Sequence, residues 1–260
     1  MALVTGGIRG IGAAISEELA SRGATIAAGF SGNVSAPSSS PTDFADRFSA
    51  SVSTHRGNVA SPDDCRRVVN EVIEQHGRLD ILINNAGITI DKTILKLSDD
   101  DWHKVLDVNL SGAFFLSQAA LAATWWSAAA AASSTVSSII GEIGNIGRGQ
   151  LRGVQVRALR ADQDVRAGSA PSSSNAPASS TMTASGITVN TVTPGYTWTE
   201  MVAAVPEKVL DKLRLRFRCV ASGRPRRSPH CRTSSPADES SYITGQVWGV
   251  NGGMDMWPRL

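Results

Sequence analysis

The sequence predicts a doubly wound α/β domain built on a parallel sheet, and three observations carry that prediction. Ala2 to Ala14 passes from a short apolar run, Ala2 to Val4, through Thr5, Gly6 and Gly7 into an amphipathic pattern with Ile11, Ile15 and Leu19 at helical spacing. Leu79 to Gly87 is a continuously apolar strand ending in two amides and a small-residue turn, as expected of a strand buried on both faces of a parallel sheet. Strand and helix patterns then alternate along the chain, which places a ligand crevice at the carboxyl ends of the strands.

The first turn explains its own composition. Glycines at 6, 10 and 12 remove the Cβ atoms that would block a tight turn, the approach of a pyrophosphate to the backbone, and the packing of helix on strand. The N–H groups and dipole at the start of the helix then attract phosphate. Ala24 to Phe30 reads as a second strand. A carboxylate after such a strand would accept from the ribose 2′-hydroxyl of NAD, but the run continues Ser31, Gly32, Asn33. With Arg9 in the glycine turn able to face a 2′-phosphate, NADP(H) is the expected cofactor.

Val52 to Val59 is a third strand, followed by a helix that Ser61 caps, with Pro62 and the acids Asp63 and Asp64 in its first turn. Its inner face is Val68, Val69, Val72 and Ile73, and Gly77 stops it. Ser98-Asp99-Asp100-Asp101 caps another helix, with Trp102, Val105 and Leu106 expected to face inward. Ile187 to Pro194 is a sixth strand, Pro206 to Leu215 has a helical pattern, and Tyr242 to Val250 reads as the last strand.

Composition sets the broad class. A chain of 260 residues suits one large α/β domain spanning 1–260, and a core of that size needs no staples. Its three cysteines, Cys65, Cys219 and Cys231, are odd in number and widely spaced, which argues for a reducing compartment; Cys219 with His230-Cys231 lacks the paired spacing of a zinc site, so no metal is expected. The chain shows no leader and no apolar run long enough to cross a bilayer, so a cytoplasmic location without membrane attachment is expected. A formal net charge of +2 says little about partners.

Thr5-Gly6-x-x-x-Gly10-x-Gly12 together with Asn84-Asn85-Ala86-Gly87 resembles the short-chain dehydrogenase/reductase family. The resemblance continues through Asn58-Val59, Asn109, Ser138, Pro194-Gly195 and Asn251-Gly252-Gly253, and so touches most of the chain. It implies a Rossmann-like sheet, a homotetramer, and a dinucleotide held by Gly6, Arg9, Gly10, Ile11, Gly12, Asn58, Val59, Asn85, Ala86, Gly87, Pro194, Gly195, Thr197 and Thr199. Asn58 would lie beside the adenine ring, and the loop from Pro194 to Thr199 would cover the nicotinamide. Ser138 would bond the substrate carbonyl, and Asn109 would hold a water in the proton relay. Asn85 to Thr89, Ser138 to Gly147, Gly186 to Val192 and Val209 to Lys212 look most like the branch that reduces 3-oxoacyl thioesters carried on CoA or a carrier protein.

The resemblance fails where it matters most. In the family a tyrosine thirteen residues after the serine protonates the substrate oxygen, and a lysine four residues further lowers that tyrosine's pKa and holds the nicotinamide ribose. A hydride arriving at a ketone leaves an alkoxide, so a positioned donor is needed. Leu151 and Gln155 stand at those places, and neither can donate a proton at useful pKa. The sequence therefore leaves three function classes open: an NADPH-dependent 3-oxoacyl thioester reductase of impaired activity, an inactive dinucleotide-binding subunit, and a nucleic-acid binder.

Around that gap four islands interrupt the patterning: Val34 to Thr42, Thr124 to Thr135, Gln150 to about Met182, and Arg216 to about Pro236. They are rich in Ala, Ser, Arg and Pro, a composition that suggests disordered insertions or, through the arginines, a nucleic-acid patch. Codon degeneracy supports a different reading, with no nucleic-acid partner. If Gln150 to Val156 were written CAA CTA CGC GGC GTC CAA GTC, reading from the second nucleotide gives Asn-Tyr-Ala-Ala-Ser-Lys, which restores the tyrosine and the lysine at their places. The other islands regain family-like elements in the same way. The islands are thus expected to be out-of-frame translations, and to pack poorly.

Overall fold

A computed structural model describes residues 1–32, 41–46, 52–125, 130–143, 186–203 and 240–254. Their elements in order are β1 (Ala2–Val4), α1 (Gly10–Ser21), β2 (Ile26–Phe30), α2 (Pro41–Asp46), β3 (Val52–Arg56), α3 (Pro62–His76), β4 (Ile81–Asn84), α4 (Asp99–Leu106), α5 (Gly112–Ala123), β5 (Ala131–Val136), α6 (Ile139–Ile143), β6 (Ile187–Pro194), α7 (Glu200–Ala203) and β7 (Val247–Val250). The strands form one seven-stranded parallel sheet in the order β3-β2-β1-β4-β5-β6-β7. The strand order reverses at β1, so the crevice opens between the ends of β1 and β4.

Two apolar layers sandwich the sheet. Leu3, Ala27, Leu82 and Val189 on one face meet Val68, Val69 and Val72 of α3 and Leu116 and Ala120 of α5. Val4, Ile26, Ala28, Ile81 and Ile83 on the other face meet Ile15 and Leu19 of α1 and Phe44 of α2. The caps act as the sequence expects. Ser61 Oγ accepts from Asp64 N, Gly77 ends α3 in the left-handed region at φ 75°, and Ser98 with Asp101 forms a reciprocal capping box.

Four expectations need correction. Trp102 is 38% exposed, whereas Val105 beside it is fully buried. The short α4 buries only a narrow stripe, and Trp102 in its first turn lies outside it. The last strand begins at Val247 and not at Tyr242, because Gly245 at φ 70° turns the chain just before it, and Tyr242 is fully exposed. Among the described residues one helix is long and apolar enough to cross a bilayer: α4 and α5 run on through a π-helical turn, Asp107–Ser111, as one helix, Asp99–Ala123. It opens on three aspartates and packs one stripe, with Leu116 and Ala120, into the core, while Phe114 on the same helix is exposed.

The fourth correction concerns the islands. The second island was expected to pack poorly, yet Ala131–Val136 is a strand whose first five residues are buried, paired with β4 on one side and β6 on the other. Trp125, in the same island, is fully buried and donates its indole N–H to Leu79 O at 2.8 Å. Position between two existing strands overrides composition here. The third and fourth islands, the helical pattern from Pro206 and most of the first island lie outside the described residues, although α2 begins at Pro41 within the first.

Candidate functional site

The glycine turn after β1 is fixed by the end of β4. Thr5 Oγ1 accepts from the N–H groups of Asn85 and Ala86, both at 2.9 Å, and Asn85 Nδ2 donates to Thr5 O at 2.9 Å. Gly6 and Gly10 take φ of 62° and 56°, where other L-residues are strained. A Cβ on Gly12 would run into the Gly6 carbonyl and stand 2.5 Å from Asn85 Nδ2. The turn therefore exists only with glycine at these places, and α1 starts at Gly10, with Gly10 and Ile11 on the crevice wall.

Around this turn lies a cleft of about 540 Å³, lined from the ends of β1, β2, β3, β4, β5 and β6. Gly6, Arg9, Gly10 and Ile11 line it beside the glycine turn, and Asn58 and Val59 line it after β3. Gly12 lies beneath the turn and not on the cleft wall. Asn58 is held by its backbone N–H, which donates to Asp64 Oδ2 at 2.8 Å, and by its side-chain oxygen, which accepts from Ala60 N at 3.1 Å. The Asn58 N–H and then Arg67 hold the Asp64 carboxyl below the usual carboxylate range. Cys65 also borders the cleft, with its thiol pushed up to about 11 by burial and by the neighbouring Asp64, so it is an inert thiol.

Asn85, Ala86 and Gly87 form the middle of the cleft wall. Asn109, in the π-helical turn, straps that loop: Oδ1 accepts from Ile88 N and Nδ2 donates to Ile88 O, both at 2.9 Å. This leaves the asparagine pointed at the loop, in a π-turn of the kind often found at functional positions. At the far end, Ser138 lies on the wall after β5 and its Oγ accepts from Ile140 N at 3.2 Å at the start of α6. Pro194, Gly195, Thr197 and Thr199 line the opposite side. Gly195 N donates to Val250 O at 2.9 Å, and a Cβ on Gly195 would meet Asn251 Cα at 2.8 Å, which ties this loop to the C-terminal Asn251-Gly252-Gly253. Trp198 turns outward and is 50% exposed. Leu151 and Gln155 lie outside the described residues.

The cleft also has wall residues that sequence reasoning did not single out. Thr5 opens the glycine motif in the sequence, and its hydroxyl is the pin between the two strand ends. Phe30 and Ser31 line the cleft after β2, and Ile88 lines it after β4. The signal for Thr5 was its place before the first glycine; the others carry no sequence signature. Behind the substrate end, Val105, Ile139, Ile140 and Met254 form a small separate core that supports the wall.

The elongated cleft, with a Cβ-free turn and a helix start at its centre, an exposed arginine near one end and a serine at the other, fits a dinucleotide laid across the strand ends. Comparison with known proteins agrees in scope. The family model for short chain dehydrogenases matches residues 1–150. The acetoacetyl-CoA reductase of Shinella zoogloeoides is 33% identical over 256 residues, covering 97% of each chain. The 3-oxoacyl-[acyl-carrier-protein] reductase FabG of Salmonella typhimurium is 31% identical over 256 residues, with 98% of this chain and 97% of the relative covered. The enzyme of the same name from Staphylococcus aureus is 29% identical over 255 residues, 98% of each chain.

Proposed function

The chain belongs to the short chain dehydrogenase family, and from that premise we propose that it is a 3-oxoacyl thioester reductase by lineage which binds NADP(H) but turns over poorly as written. The observation that carries this is the single cleft on which the glycine turn, Asn109, Ser138 and the Pro194 to Thr199 loop converge. Relatives named as acetoacetyl-CoA and 3-oxoacyl-carrier-protein reductases supply the substrate class. Arg9 beside the glycine turn, and no acid after Phe30, support the phosphorylated cofactor. By the same reading, residues 1–260 form one cytoplasmic domain that assembles as a homotetramer.

The bound nicotinamide would supply the hydride. Gly6, Gly10 and Ile11 at the start of α1 would hold the pyrophosphate, and Asn58 and Val59 would flank the adenine. Asn85, Ala86 and Gly87 would run beneath the dinucleotide, while Pro194, Gly195, Thr197 and Thr199 would hold the carboxamide. Ser138 Oγ would donate to the substrate carbonyl oxygen, and the Asn109 strap would keep the central wall in place. The proton that must reach the same oxygen has no donor at Leu151 or Gln155. The missing general acid favours, as a second reading, an inactive dinucleotide-binding subunit.

The match to the family model runs across the first two islands and ends at residue 150, one position before Leu151, and the pairwise matches cover 97% and 98% of the chain, so the change of reading frame rests on the codons. The codons decide it: Leu151 must be CTA or TTA and Gln155 must be CAA, and any other codon at either place overturns the hidden motif. Following NADPH loss with acetoacetyl-CoA tests the function. We expect cofactor binding with little turnover, and at least about 10²-fold more turnover from a gene with the frame of the islands restored. Normal turnover by the chain as written would refute the assignment of the gap. Salt-sensitive retention on DNA without cofactor binding would point to the nucleic-acid class instead.

A further inference from the structure

We propose that Arg56 is a second specificity-determining cation, which selects a 2′-phosphorylated adenosine together with Arg9 from the opposite side of the β2 end; this rests on the NADP(H) reading above. The strand order β3-β2-β1 puts β2 between the two arginines. On the β1 side, Gly7 N donates to Gly29 O at 3.0 Å, which sets the glycine turn carrying Arg9 against the end of β2. On the β3 side, Arg56 pairs with Phe30 and Gly57 N donates to Phe30 O at 2.9 Å. Both cations are exposed: Arg9 lines the cleft, and Arg56 stands just outside it, between the lining residues His55 and Gly57.

The Arg56 side chain does not simply point to solvent. A Cβ on Gly32 would lie 2.5 Å from its Nη2 and 3.0 Å from both Cζ and Nε, so the guanidinium lies flat against Gly32, just past the end of β2. A side chain at 32 would occupy that place. The nearby acids are already engaged by another arginine: Arg67 donates to Asp64 Oδ1 at 3.0 Å and to Glu71 Oε1 at 2.6 Å, and Asp64 also accepts from Asn58 N. Arg56 adds to the field that lowers the Asp64 pKa, but among the described residues it makes no ion pair within 4.0 Å. A planar guanidinium with its donors unspent is suited to a two-point grip on phosphate, and a phosphate between two cations is held far better than one beside a single exposed arginine.

The test is calorimetric titration of the full chain with NADPH, NADH, 2′,5′-ADP and 5′-AMP, for the wild type, Arg56→Gln, Gly32→Val and Arg9→Gln. Gly32 has no positive φ, so valine there displaces the guanidinium without removing its charge. We expect Arg56→Gln and Gly32→Val each to weaken NADPH and 2′,5′-ADP about tenfold while NADH and 5′-AMP bind as before. If the wild type prefers NADPH and both variants keep the full preference, the role of Arg56 is overturned and the cofactor reading stands on Arg9. Equal wild-type affinities for NADPH and NADH would overturn both.

Discussion

β4 and β5 lie side by side in the middle of the sheet, pair from Ile81 with Ala132 to Asn84 with Thr135, and are buried alike over those positions. Their side chains have little in common. β4 reads Ile-Leu-Ile-Asn, and its first three residues fill the apolar layers on both faces, while Asn84 donates to Ser117 Oγ at 3.2 Å and leaves its own oxygen buried without a partner among the described residues. β5 reads Ala-Ala-Ser-Ser-Thr-Val, and the hydroxyls of Ser133 and Ser134 are buried without a hydrogen-bond partner among the described residues, as are those of Ser137 just beyond and Thr188 on β6. The difference separates two things a strand must do. The backbone ladder can be satisfied by nearly any sequence set between two partners, whereas packing the faces depends on the side chains. β5 does the first fully and the second only at its ends, where Ala131 and Val136 join the apolar layers while Ser133 and Ser134 between them do not.

The comparison can be broken most severely on the β4 side. Leu82→Ser would give β4 the chemistry of Ser133 opposite it, lose a fully buried leucine and add a buried hydroxyl, and should cost about 4 kcal/mol in chemical denaturation. A loss below about 1 kcal/mol would show that this face is not packed as described. The reverse change is smaller. Ser133→Ala removes an orphaned hydroxyl from the same layer and should stabilise the chain by about 1 kcal/mol, read as a higher denaturation midpoint at unchanged slope. Destabilisation by this variant would mean the hydroxyl has a partner after all.

The smallest effect distinguishes orphaned hydroxyls from titrating groups. Burial, and then the neighbouring His55, hold His76 below its ordinary pKa; Ser53 Oγ lies 2.9 Å from His76 Nε2 and 3.0 Å from His55 Nε2, and His55 faces Glu71 at 3.4 Å. The unfolded chain then binds more protons than the folded one near the ordinary histidine pKa. Stability from this group is full above about pH 6.5 and falls as the pH drops below it. His76→Gln should flatten that decline, while Ser133→Ala should raise stability equally at every pH. A slope unchanged by His76→Gln would remove His76 as its source.

Much of the fold was legible because its signals are local. The Ser61 and Ser98 caps, the stop at Gly77 and the whole extent of β6 follow from neighbours within a few residues. β5 was not legible, because only its partners β4 and β6 make it a strand. The exposure of Trp102 was missed because helical spacing gives a direction but not how far a short helix reaches over the core. Of the candidate site, the glycine turn and the Asn85 to Gly87 loop could be read from residue types whose geometry is restrictive. Arg56 could not, since its place against Gly32 depends on two strands brought together by the sheet.

The pin between Thr5 and the loop at Asn85 and Ala86 spans 80 and 81 residues of chain. During synthesis the glycine turn therefore waits, unfastened, until β4 has emerged, and a contact so distant in sequence is slow to close. Once it closes, β3, β2, β1 and β4 form a complete half-sheet whose residues all precede the second island. β5 pairs with the outer edge of β4, so no hydrogen bond of the pin at the glycine turn depends on its side chains.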